Sequence, residues 1–350
     1  MRWIVAASLA LAACGEDRVP PDRSVEEPGE YAVATTRYVI PDGTRPLTVQ
    51  AWAPTDAVAA DVAIAQLEPV ERQATYEQLL ADAPACPTRT LPVAVDAVPA
   101  AGPFPVVVLS HCHGCTRLSN ASTAVRLASH GFVVLAVDHA TNTLWDDLAG
   151  TGISLDPAFL ATRAADVQRV IDELPSSPVA GSVDIERLGV LGHSFGAVTA
   201  GRVAQIDPRV KAAVALAAPV ENPLIPGVAL AEIGVPLMFV VAVEDNSITE
   251  FGNIFMRNNF RDAPVPAWKI EVADAGHWSV SDLNGLVDAF AAGCGDGVRQ
   301  TDGEAFTYLD PVEGRARTAT FATAFFEMVL TENSGAEAFL ADVAMAEHHD

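Results

Sequence analysis

Residues 187–206 read RLGVLGHSFGAVTAGRVAQI, and at their centre stands Gly192-His193-Ser194-Phe195-Gly196. The apolar run before it suits a buried strand, and the small residues after it suit a closely packed helix. A strand that turns straight into a helix crowds the residue at the bend. Glycine on both sides removes the side chains that would collide there. The serine hydroxyl then stands free over the helix N-terminus. A pentapeptide of this form arises by chance, but its place between a strand and a helix makes it specific. The alternative is a serine that only caps a helix, which needs no partner elsewhere in the chain.

Outward from this unit, strand and helix patterns alternate. PVVVLS (residues 105–110) and FVVLAVD (132–138) are unbroken apolar runs, expected of strands buried on both faces. STAVRLASHG between them reads as a helix stopped by Gly131, and PAFLATRAADVQRVIDEL as an amphipathic helix ending at Pro175. RVKAAVALAAP, VPLMFVVAV and PAWKIEVADAGH supply three more strands, and TATFATAFFEMVL a closing helix. Nearer the start, TTRYVI and LTVQAWAP alternate about Pro41-Asp42-Gly43, a hairpin reading. The expected fold is α/β: a mostly parallel central sheet with helices on both faces. Residues 57–103, with one helical stretch among Ala and Pro, break the rhythm. They read as an insertion placed near the mouth of the site.

The chain opens MRWIVAASLALAAC, a basic residue, a short apolar run and small residues before Cys14. That is a secretory signal over residues 1–13, too short to span a membrane. Its ending resembles the bacterial lipobox, which implies lipid on Cys14 and an outer-membrane location. Residues 14–31 are acidic, proline-bearing and almost without aliphatic side chains, so they read as a solvated tether. Residues 32–350 then form one domain, and half of the 350 residues are hydrophobic, enough to fill a large core. Asp and Glu outnumber Lys and Arg 45 to 21, a net charge of −24, which argues against nucleic acid and against electrostatic attachment to anionic lipid. Of five cysteines, Cys86, Cys112, Cys115 and Cys294 remain once Cys14 is set aside. Outside the cytoplasm an even count favours two disulfides, with three possible connectivities.

A serine needs a base to become a nucleophile at neutral pH. Among eight histidines, His348 and His349 are expected to fray at the chain end. His193 sits on the elbow and His130 at a helix end. His139 follows a strand and could line the site or simply pack. His277, in ADAGHWSVSDL beyond the last core strand, lies where a loop can carry it to Ser194. The acid that orients the imidazole is expected at the exit of the preceding strand, where Glu244 and Asp245 are adjacent. Asp245 is the choice, with Glu244 a salt-bridge or solvated neighbour, and Asp274 too close to His277 in sequence. The oxyanion of acyl transfer needs two backbone N–H groups. One is expected from Phe195 and the other from His113, in the loop VLSHCHGCTR after the strand at 105–110.

At these residues the chain resembles the bacterial α/β-hydrolases similar to platelet-activating-factor acetylhydrolase, often called predicted dienelactone hydrolases. The pieces are RPLTVQAWAP, PVVVLSHCHGCTRLS, LASHGFVVLAVDHATNT, RAADVQRVIDEL, ERLGVLGHSFGAVTA, DPRVKAAVALAAP and AGHWSVSDL, spread over residues 35–330. The resemblance implies a serine esterase acting on short or oxidised acyl esters, with Ser194, His277 and the amides of Phe195 and His113 in the roles above. The chain departs from that pattern three times. Cys112 and Cys115 replace glycines of the S-H-G-x-G-G loop. Ala217 and Ala218 stand on the strand where the acetylhydrolases carry their acid, which moves the acid to Asp245. The elbow holds serine where true dienelactone hydrolases have cysteine. A Cys112–Cys115 bridge would constrain the loop in place of the lost glycines and leave Cys86 to pair with Cys294; two packed free thiols are the alternative.

Three other readings compete. One is a cutinase-like or lipase-like hydrolase of larger esters or polyesters. Another is a catalytically inactive binding lipoprotein. The third is a zinc site at His111, Cys112, His113 and Cys115, which consecutive loop positions serve poorly. The leading reading needs an ester substrate and no metal or cofactor.

Overall fold

The computed structural model describes residues 19–349, Asp42 and Thr44 aside. Cys14, the signal at 1–13 and Asp42 of the hairpin turn therefore lie outside the described residues. The hairpin strands are β1 (Ala32–Ile40) and β2 (Leu47–Thr55), antiparallel from Ala32 opposite Thr55 to Ile40 opposite Leu47. β3 (Ala60–Ala63), α1 (Val70–Asp82) and β4 (Thr90–Val95) follow. The alternating part comprises β5 (Phe104–Ser110), α2 (Ala121–Ser129), β6 (Val133–Asp138), a one-turn α3 (Leu144–Leu148), α4 (Phe159–Asp172), β7 (Val183–His193), α5 (Phe195–Ile206) and β8 (Val210–Leu216). It continues through β9 (Leu237–Ala242), α6 (Thr249–Asp262) and β10 (Ala267–Val272). A small hairpin, β11 (Asp296–Val298) and β12 (Ala305–Thr307), precedes α7 (Pro311–Thr331), α8 (Ser334–Asp342) and β13 (Ala346–His349).

Eleven strands form one sheet in the order β13-β10-β9-β8-β7-β5-β6-β2-β1-β4-β3. The run from β10 to β6 is parallel throughout. Successive side chains on a strand point to opposite faces, and both faces are buried here. Val107 and Leu109 of β5 join a core with Leu127 of α2 and Phe325 and Phe326 of α7. Val106 and Val108 join another with Val170 of α4, Val198 of α5 and Met256 of α6. This is the α/β-hydrolase fold, and it sets the C-terminal ends of β5, β7, β9 and β10 side by side, where their loops can meet.

Three expectations need correction. The tether reading fails from Val19 onward: Val25 is fully buried, Asp22 N–H donates to the Gly335 carbonyl, and Tyr31 N–H to that of Ser129. One aliphatic side chain and a few backbone bonds fasten a segment whose composition suggested solvent. Residues 57–103 line none of the cavity at Ser194; β4 pairs with β1 and β3 with β4, which widens the sheet at its far edge, while residues 86–88 lie against the loop that carries His277. His348 and His349 do not fray: β13 pairs antiparallel with β10, and the His348 ring stacks on Trp268. The exposed ladder of an edge strand is a template for further pairing, and the chain end fills it.

Candidate active site

The turn at Ser194 has the strain that its neighbours implied. Its φ is 57° and ψ −121°, a backbone state that costs on the order of 1–3 kcal/mol and is kept where surroundings enforce it. Ser194 N–H donates to the Leu216 carbonyl at 2.9 Å. A Cβ on Gly192 would lie 1.8 Å from the Gly196 carbonyl oxygen, and one on Gly196 would lie 1.9 Å from that of Ser110. A larger residue at Gly192 would force the strand end off the first turn of α5, and one at Gly196 would push that helix off the end of β5. The serine lines a cavity of about 300 Å³ together with Phe195, Val198, Ile225, Phe251 and Phe255.

Behind the elbow, β9 exits into Asp245, which is fully buried. Its Oδ1 accepts the N–H groups of Ser247 and Ile248, each at 2.9 Å, and its Oδ2 lies 2.7 Å from His277 Nδ1. An acceptor at that distance keeps the proton on Nδ1 and leaves Nε2 as the basic nitrogen. Glu244 turns away and pairs with Arg299 at 2.8 Å, while Asp274 pairs with the same guanidinium at 2.7 Å. Geometry thus separates the two adjacent acids. His193 Nε2 lies 3.0 Å from the His277 carbonyl. Burial, then the nearby His277, pushes His193 well below the usual imidazole range, so it stays neutral and donates to that carbonyl. Among the described residues the Ser194 hydroxyl makes no hydrogen bond to His277. Such bonds commonly tighten only when substrate is present.

On the other side of the elbow runs the loop from β5. A Cys112–Cys115 disulfide closes it, and Gly114 takes φ 64°. His111 Nδ1–H donates to the Cys112 carbonyl at 2.6 Å, and its Nε2 accepts His139 N–H at 3.0 Å. Asn142 Nδ2 donates to His113 Nδ1 at 2.8 Å. Burial lowers the His113 pKa, and the Arg163 charge adds to it against the pull of Asp147. The ring nitrogens named here are tied into the protein, and the two sulfurs are bonded to each other. By contrast, the N–H groups of His113 and Phe195 donate to no acceptor among the described residues. His139 is not at the surface of the site: it is buried against Ser110 and Asp166 at 2.9 Å each. The second disulfide joins Cys86 to Cys294.

The cavity walls were not foreseen. Helix α6 supplies Phe251 and Phe255, whose rings meet edge to face at 4.6 Å, and Leu155 and Leu224 come from irregular segments. The spacing of those two phenylalanines, four apart, was the available signal. None of residues 57–103 lines this cavity. A larger, polar cavity of about 580 Å³ lies at the β1–β4 edge and holds none of the groups described above.

The PET hydrolase-like family (PETase) matches residues 98–287, which include Ser194, Asp245, His277 and His113. Cutinase est2 of Thermobifida alba is 29% identical over 194 residues, covering 54% of this chain and 57% of that one. Cutinase est1 of the same organism is 35% identical over 115 residues, 32% of this chain and 34% of that one. Lipase 1 of Moraxella sp. (strain TA144) is 31% identical over 160 residues, 45% of this chain and 42% of its own length. The chain thus spans 57% or less of these curated relatives. Among solved structures, a ferulic acid esterase from Streptomyces cinnamoneus superposes with a TM-score of 0.64 over 90% of this chain and 92% of that one, at 23% identity. That likeness is one of fold.

Proposed function

The chain belongs to the PET hydrolase-like family, and from that premise we propose that it is a serine hydrolase of carboxylic esters. The observation that carries the reading is Ser194, strained at the elbow and open to an apolar cavity, between a His277–Asp245 pair and two unengaged N–H groups. In this reading Ser194 Oγ attacks the ester carbonyl while His277 Nε2 takes its proton. The carbonyl oxygen becomes an oxyanion, which accepts hydrogen bonds from the His113 and Phe195 N–H groups. Collapse expels the alcohol, protonated by His277, and leaves the acyl group on Ser194. Water, deprotonated by the same imidazole, then releases the carboxylic acid. Asp245 holds the ring and stabilises its cationic form.

A cavity of about 300 Å³ suits a short aliphatic or single-ring acyl group, in line with the resemblance to acetylhydrolases. A cutinase-like reading, with longer or polymeric esters, draws support from the apolar rim: Leu224 is 66% exposed, Phe251 55% and Leu155 49%. Such side chains could hold a substrate that continues beyond the cavity. Turnover of p-nitrophenyl esters from acetate to palmitate separates the two. Activity confined to the shortest esters supports the first, and rates that persist at long chains support the second. No turnover of any ester would contradict both.

The lipobox reading is proposed on sequence alone. Lipid on Cys14 would hold the enzyme at the cell envelope, and the two disulfides suit an oxidising compartment. Labelled fatty acid incorporated by the wild type and lost in Cys14→Ser would support it; no label in the wild type would refute it.

A further inference from the structure

Arg163 of α4 is fully buried and forms no ion pair among the described residues. Its NH2 group donates to the His111 carbonyl, and to Ser110 Oγ at 3.1 Å. Its NH1 group donates to Asn142 Oδ1 at 2.5 Å, and Asn142 in turn holds His113. The guanidinium carbon lies 4.7 Å from the centre of the Phe195 ring. One side chain therefore touches the strand end, the loop and the helix start that carry the two free N–H groups. Its charge is not spent on an acid. Asp166, which acts on it electrostatically, is already engaged by Arg45 and His139.

An unpaired buried cation is costly to a fold. Burial lowers the Arg163 pKa to about 9, yet at neutral pH it remains charged. A structural bolt would be cheaper with a carboxylate partner, and Arg117 in the same molecule has two, Glu68 at 3.1 Å and Asp138 at 2.9 Å. Three of the Arg163 contacts lead instead to the two free N–H groups: the His111 carbonyl and Asn142 to His113, and the Phe195 ring to Phe195 itself. In a low-dielectric interior, a positive charge fixed before reaction stabilises negative charge that appears only in the transition state.

Resting on the ester-hydrolase reading above, we propose that Arg163 is the positioning residue of the oxyanion site. It fixes the His113 and Phe195 N–H groups and lends the site an uncompensated positive charge. Charge and grip can be separated by substitution. Arg163→Gln removes both the charge and part of the fork and should lower kcat by ~100-fold, while KM stays within about twofold. Arg163→Lys keeps the charge and should recover about tenfold of that loss. Asn142→Asp gives Arg163 the counter-charge it lacks but also withdraws the N–H that Asn142 donates to His113, so it is read against Asn142→Leu, which withdraws the same donor and adds no charge. A merely structural arginine predicts equal kcat in the two variants. The proposal requires kcat about tenfold lower in Asn142→Asp than in Asn142→Leu. This pair also decides the matter if Arg163→Gln does not fold.

These assays use the full chain and its fastest p-nitrophenyl ester, with Ser194→Ala in parallel. Equal kcat in Asn142→Asp and Asn142→Leu, with Ser194→Ala inactive, would overturn the role of Arg163 alone. A Ser194→Ala variant that still turns over ester would overturn the reading of the whole site, and this role with it.

Discussion

Two irregular loops flank Ser194, and the molecule secures them by different means. The loop at residues 111–117 is held by its neighbours in the sheet. His111 binds His139 N–H, Arg117 N–H donates to Asp138 at 2.6 Å, and the disulfide spans a sequence separation of 3. The loop at residues 273–295 is held by distant chain. Its disulfide spans 208 residues, Asp282 accepts Thr88 Oγ1–H at 2.5 Å and Ser122 N–H at 2.8 Å, and Asn120 donates to the Val280 carbonyl. A buried segment without a ladder must find other partners for its polar groups. The loop at 111–117 finds them at the end of β6 and in Arg163 of α4; the loop at 273–295 borrows them from residues 86–88 and from the start of α2. Residues 86–88, within the segment set apart in sequence as an insertion, thus brace the loop that carries His277.

The largest expected effect lies on the histidine side. Asp245→Asn should reduce kcat by up to ~10⁴, since the imidazole loses its orienting charge and tautomer. Glu244→Gln should leave kcat near wild type, because that carboxylate serves Arg299. A greater loss at Glu244 in steady-state kinetics would reverse the assignment of the acid.

Next come the disulfides, which test the contrast between the loops. Serine at both Cys86 and Cys294 opens a long covalent loop and should cost about 2–4 kcal/mol in denaturant unfolding. Activity should fall with it as His277 loosens. Serine at both Cys112 and Cys115 should cost less stability, yet lower kcat rather than raise KM. Equal stability losses for the two pairs would break the comparison.

Acid should weaken the fold more gradually. Burial holds His111, His113, His139 and His193 below the ordinary imidazole range, so the unfolded chain binds these protons more readily. Their contribution is complete above roughly pH 6.5 and drains as pH falls; for His139 the loss continues to about 4. His130 runs the other way. Burial opposes its charge, but Glu327 and the Glu27 carbonyl outweigh burial and raise its pKa. That contribution is complete below roughly pH 6.5 and is lost as pH rises. Four against one predicts a melting temperature that falls from about pH 7 to 4.5, less steeply in His139→Gln. A flat profile would contradict it. The smallest effect is none: prolonged chelation should leave kcat unchanged, and loss of activity restored by zinc would reinstate the metal reading.

The same contrast explains what the sequence disclosed. The elbow, β5 and the loop after it were legible because apolar runs and glycines are local signals, and their partners lie one strand away. Strand order placed the acid at Glu244 or Asp245, and only geometry shows that Asp245 is the one that turns to His277. Helix α6, polar at Asn253, Asn258 and Asn259, hid its apolar face, and with it a wall of the cavity. The edge pairing of β13, the docking of Val25 and the bracing of Asp282 by Thr88 depend on contacts across the fold, which leave no periodic trace in the residues that make them.

The central claim is that Ser194 carries the acyl group. Intact protein treated with a fluorophosphonate should gain the mass of one phosphonyl adduct, and peptide mapping should place it in the segment GHSFG at Ser194. Ser194→Ala, folded by circular dichroism, should gain no mass and hydrolyse no ester. An adduct on another residue, or ester turnover that survives in Ser194→Ala, would contradict the account.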